Sequence, residues 1–99
     1  MKNTKYPGVS DKDYNKIRDN YLKQYKKLKR YFEDTICGGR NKSTAIRYFN
    51  IKKRNIESKM TILDKKQFEN EGFFKMQCDI YKGFLLGINY WIKEIHEII

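Results

Sequence analysis

Little in this chain is suited to covalent chemistry. Its 99 residues hold a single histidine, two cysteines and one proline. Cys37 and Cys78 are too few and too isolated for a disulfide framework, and with only His96 beside them no metal-ligand set can be assembled. Neither a metal nor another cofactor is expected, and the thiols fit a reduced, intracellular protein. His96 lacks a Cys or Ser partner with a third orienting group, and it reads as a helix-end or interface residue. The carboxylates are scattered, as at Glu33, Asp34, Glu69 and Glu71, with no pair of converging acids and no phosphate-cradling run of glycines. A protein that is not an enzyme follows. Long hydrophobic runs are missing too: the longest uncharged apolar stretch, residues 83–92, falls well short of the roughly 20 residues that span a bilayer, and no signal-peptide pattern opens the chain. The expectation is a soluble, cytoplasmic protein with no membrane partner.

The most telling scarcity is of positive charge after residue 66. Residues 1–66 contain 19 Lys/Arg and 7 Asp/Glu, a net +12, whereas residues 67–99 contain 3 and 5, a net −2. Lysine richness alone follows from A/T-rich codons, which also favour the Ile, Asn and Tyr seen here and suggest a phage, a plasmid or a low-GC bacterium. Codon bias would scatter lysines, however, and does not explain their near absence from the last third. The placement points to a basic body that binds a polyanion, with duplex DNA the leading candidate, and a neutral, apolar end that packs or dimerises. Hydrophobic residues at 39% and aromatics at 15% are enough for a folded domain, although 34% charged residues and a mean hydropathy of −0.87 leave little apolar surface to spare. The core has to come from aromatics and isoleucine.

Residues 1–9, with Lys2, Lys5 and the only proline, Pro7, read as a flexible basic arm, and residues 10–99 as a single helical domain. Ser10 offers an N-cap, with Asp11 and Asp13 in the first turn. Tyr14, Ile17, Tyr21, Tyr25, Leu28 and Phe32 then recur every three or four residues, which makes one stripe of a helix. Lys16, Lys23, Lys27 and Arg30 fall about 155° away at about 100° per residue, so this helix has a core face and a cationic face. The Gly38-Gly39 pair stops it. Ser43 or Thr44 restarts a helix, and from residue 45 to 63 two patterns compete: one continuous helix burying Ala45, Phe49, Ile56, Met60 and Leu63, or two short helices broken at Asn50. A loop around residues 64–71 precedes the last segment, 73–99, which is apolar over more than half its circumference. Such a helix is either central or shared with a second copy of the chain. Gly83 and Gly87, one turn apart, allow close approach of another backbone, so Gly83, Phe84, Gly87, Ile88, Trp91 and Ile95 are the expected partner or homodimer surface.

Between residues 43 and 60 the chain resembles the helix-turn-helix of bacterial and phage DNA-binding regulators. Ala45 and Phe49 match the inward positions of the first helix, Asn50 the turn residue where Gly is usual, Ile51 the apolar residue after it, and Ile56 the centre of the second helix. The resemblance implies that Lys52, Lys53 and Arg54 begin a recognition helix, with Glu57 and Ser58 one turn on; Lys59 stands where a second inward apolar residue is common, and it is expected to face outward with the other cations.

The fold expected is therefore an all-α bundle of three to four helices with a long apolar C-terminal helix. The function expected is DNA binding, with Lys16, Lys23, Lys27, Arg30, Arg40 and Lys42 neutralising phosphates and residues 52–58 supplying any sequence preference. The rival reading is a helical adaptor or inhibitor that docks an acidic protein partner through the basic face or the 73–99 helix. Tyr21 and Tyr25 lie on the core stripe and should pack rather than stack on bases, while Tyr31 at its edge is open to either.

Overall fold

The computed structural model describes residues 6–68 and 70–98. Helix α1 spans Asp11–Ile36, α2 spans Lys42–Thr61 and α3 spans Glu71–Glu97, with one short 3-10 turn at Lys65–Gln67 before α3. No strand occurs among the described residues. The all-α expectation holds.

Side-chain pairings give the topology. Tyr21 lies edge-on against Phe84, while Tyr25 and Phe32 both contact Trp91, so α1 and α3 run in the same direction. Lys42 Nζ donates to the Ile98 carbonyl at 3.0 Å, which sets the start of α2 beside the end of α3. The helices go up, down and up. The resulting slab measures 46 × 30 × 16 Å.

Each helix begins where a side chain can satisfy its free N–H groups. Ser10 Oγ accepts from the Asp13 N–H at 3.1 Å, as its place ahead of Asp11 and Asp13 suggests. Gly38, at φ 87°, ends α1: its N–H reaches the Thr35 carbonyl and the Gly39 N–H reaches that of Asp34, the paired bonds of a Schellman stop. For α2 the cap is Asn41, whose Oδ1 accepts from the Thr44 N–H at 3.1 Å, ahead of both Ser43 and Thr44, the caps expected from sequence. From there α2 is unbroken. Asn50 and Ile51 sit inside it, and no residue other than glycine takes a positive φ among those described. The continuous pattern is the one adopted.

The larger core joins all three helices. Phe49, Ile88 and Ile95 are essentially fully buried, with Ala45, Leu28, Phe32, Phe84 and Trp91 around them. Thr35 is the sole buried polar residue among those described, and its hydroxyl donates to the Tyr31 carbonyl at 2.9 Å. Removing an aromatic such as Phe49 from this site costs about 3–5 kcal/mol in comparable cores.

A smaller cluster lies at the other end of α3 and takes in Tyr6 and Val9 from the end of the expected arm. Tyr6 and Val9 are each 5% exposed and pack with Met76. The Tyr6 hydroxyl donates to Asp79 Oδ2 at 2.6 Å. Asn70 caps α3 through Oδ1 to the Phe73 N–H and donates Nδ2 to the Gly8 carbonyl, so a single side chain ties the turn to the helix. Gly72 has no Cβ to keep the Pro7 carbonyl away, and the turn rests directly on it. The arm's remaining residues, Lys2 and Lys5 included, lie outside the described residues.

Candidate nucleic-acid interface

Along α2, Tyr48, Lys52, Asn55 and Lys59 recur at steps of four, three and four, which places them on one stripe of the helix. This stripe faces Gln24 and Lys27 of α1. Between them lies a groove of about 280 Å³ floored by Leu28, Ile56, Tyr81 and Phe84. A second hollow of about 250 Å³ continues it along α1 and α3, sharing Gln24, Lys59, Tyr81 and Phe84 and adding Asn20 and Gln77. Three lysines thus converge on one concavity, and among the described residues no Asp or Glu lines either hollow. Within a cleft of low-dielectric walls the positive potential is focused rather than spread.

Tyr48, which lines the groove, is held by a stacked ring. Tyr31 and Tyr48 lie face to face with centroids 4.1 Å apart and planes 16° from parallel. The Arg40 guanidinium sits 4.1 Å from the Tyr31 centroid, and Lys52 Nζ lies 5.5 Å from that of Tyr48. Tyr48 and Arg40 cannot occupy the same space, so they cover opposite faces of Tyr31. That ring, which the sequence left undecided between packing and base stacking, is covered on both faces. Burial first, and then the neighbouring Tyr31, raises the Tyr48 hydroxyl pKa above the usual tyrosine value, with Arg40 opposing, so the phenol is neutral.

No family model, curated protein or solved structure matches this chain. Its function has to be read from its own residues.

The cations named from sequence do not share one face. Lys27, Lys52 and Lys59 meet in the groove, and Lys16, Lys23 and Arg30 are exposed on the flank of α1 beside it. Arg40 and Lys42 are engaged elsewhere, one on Tyr31 and one on the Ile98 carbonyl. Arg54 and Ser58 are exposed on α2 but turned roughly 120–160° from Lys52, and half-buried Lys53 is turned roughly 100° the other way. A recognition helix beginning at Lys52 therefore does not form, because the turn that would start it is replaced by continuous helix. Among the described residues a single ion pair joins two described side chains, Arg18 to Asp19 at 3.5 Å, so the groove lysines are not neutralised by described acids.

The surface expected for a partner or a homodimer is also corrected. Phe84, Gly87, Ile88, Trp91 and Ile95 are buried within the single chain. Gly83 and Gly87 do admit close neighbours, but these are the Tyr21 and Tyr25 side chains of α1, within 2.5 Å and 2.9 Å of where a Cβ would stand. Helix α3 packs centrally, between α1 and α2. What it leaves uncovered is a different strip, with Leu86 73% and Tyr90 57% exposed. No helix of the described residues is long and apolar enough to cross a membrane. Sequence reading missed the groove itself, because Tyr81 and Gln24 come together with Lys59 only in three dimensions.

Proposed function

We propose that this chain is a non-enzymatic DNA-binding protein that holds the phosphate backbone in the cationic groove between α1 and α2. The observation that carries this reading is the convergence of Lys27, Lys52 and Lys59 on a concavity lined by no described carboxylate. Three lysines around one hollow with no described carboxylate among them make a site of positive potential, which favours an anion. Lys16, Lys23 and Arg30 extend the positive surface along α1, which suits a chain of phosphates better than one isolated anion. With no separate recognition helix, binding is mainly to backbone and only weakly sequence-dependent. The composition suits a small regulator or accessory factor of a phage, a plasmid or a low-GC bacterium.

Fluorescence anisotropy of labelled DNA, duplex and single-stranded, titrated at several salt concentrations, tests the reading. Engagement of the three groove lysines gives a slope of log affinity against log salt of about −2 to −3. Lys27→Ala or Lys59→Ala lowers the slope by roughly one contact. Absence of binding to either form at low salt overturns the proposal. Capture of an acidic polypeptide in preference to DNA assigns the groove to a protein partner instead.

A further inference from the structure

The groove offers more than charge, and its other features select among nucleic acids. Its floor is apolar and aromatic, a surface that paired, stacked bases inside a duplex cannot reach. Tyr81 lines both hollows and, unlike Tyr31 and Tyr48, pairs with no other ring among the described residues. The first hollow holds the three lysines together with Gln24 and Asn55, while the second adds the amides of Asn20 and Gln77 among apolar side chains and shares Gln24 and Lys59 with the first. Each amide carries both a donor and an acceptor, the requirement for reading the polar edge of a base. Lysines around the first hollow, amides in the second and a half-buried tyrosine that lines both supply the three kinds of contact a nucleotide needs, for phosphate, base edge and base face.

We infer that the groove is a single-strand site: Lys27, Lys52 and Lys59 hold a phosphate, and an unpaired base lies on Tyr81 with its edge toward Gln24, Asn20 and Gln77. This rests on the DNA-binding reading and narrows it to unpaired strands. A duplex meets only the outer lysines and binds more weakly. Base stacking is tolerant of sequence, so the preference is for strandedness, with modest discrimination among bases from the amides.

The test compares a short oligothymidylate with a duplex of similar length by anisotropy, for the wild-type chain and for Tyr81→Ala, Tyr81→Phe and Gln24→Ala. Circular dichroism and Trp91 emission establish that each variant is folded. The single strand is expected to bind more tightly than the duplex. Tyr81→Ala should weaken the single strand about ten- to a hundred-fold and leave the duplex nearly unchanged, while Tyr81→Phe retains most of the affinity. Should Tyr81→Ala fail to fold, Tyr81→Leu, which keeps apolar bulk without the ring, takes its place with the same expectation. Quenching of tyrosine fluorescence on adding the single strand, lost in the Tyr81→Phe variant, is the second readout. Equal affinity for both forms, with neither altered by loss of the ring, overturns the single-strand site and leaves phosphate binding standing. No binding to either form removes both.

Discussion

Asn50 decides between two architectures of the α2 segment, and substitutions there change sign with the answer. In the structure Asn50 lies in the interior of α2 with helical backbone, and its side chain makes no hydrogen bond among the described residues. Replacing it therefore changes mainly helix propensity. On that scale Ala is best, ordinary polar residues are worse by up to about 0.7 kcal/mol and Gly is worse by about 1 kcal/mol. Asn50→Ala should stabilise by about 0.5 kcal/mol and Asn50→Gly destabilise by a few tenths, a separation of about 1 kcal/mol between the two variants. In a domain of this size that separation corresponds to about 4–8 °C in Tm. A turn at Asn50 in left-handed geometry would invert the order, because Gly occupies that region freely and a Cβ is penalised by about 1–2 kcal/mol. Urea denaturation followed in parallel by Trp91 emission and far-ultraviolet circular dichroism measures both variants against wild type. A glycine variant more stable than the alanine variant would refute the continuous helix and restore the helix-turn-helix geometry.

Two further outcomes are expected at the N-terminal turn. Gly72→Ala should destabilise despite the better helix propensity of alanine, because its Cβ meets the Pro7 carbonyl; a rise in the urea midpoint would show that the turn is not seated on α3. Burial first, then the hydrogen bond to Asp79 and its charge, raise the Tyr6 hydroxyl pKa above its ordinary value of 10.0. The unfolded chain then loses this proton first, so the contribution to stability is complete below about pH 10 and declines as pH rises beyond it. Tyr21 and Tyr48 push in the same direction. A Tyr6→Phe variant should lose stability at neutral pH and show a shallower alkaline decline in denaturation midpoints taken across that range; an unchanged slope would count against the Tyr6 contact with Asp79.

Much of the architecture was readable because it follows from short-range rules. The stripe from Tyr14 to Phe32 and the cap at Ser10 foretold α1, and the glycine pair foretold its end. The apolar breadth of the last segment foretold a helix apolar over much of its surface but left open whether it would be central or shared with a second copy. What escaped was one local choice and several contacts between residues far apart in sequence. Asn41 outcompetes Ser43 as the cap of α2, a choice between neighbouring side chains that propensity does not resolve. Tyr6 and Val9 are single apolar residues in a polar stretch, and nothing local reveals that Met76 and Gly72 lie beneath them. The glycines at 83 and 87 were correctly read as points of close approach, but pattern alone does not tell a tyrosine of the same chain from the backbone of a second copy. The cationic positions were legible one helix at a time. Which of them share a cleft was not, because that depends on how α1 and α2 face each other across α3.

The indole of Trp91 leans on Tyr25 and Phe32 from α1 and on Phe49 from α2, so neither helix can depart without unseating it. Global melting should accordingly be all-or-none, with that one fluorophore sensing the loss of any helix. The cluster of Tyr6, Val9 and Met76 has no share in this keystone. It can open as a sub-global event, so the amides of Tyr6, Gly8 and Val9 should exchange with solvent deuterium long before those around Phe49 and Ile88.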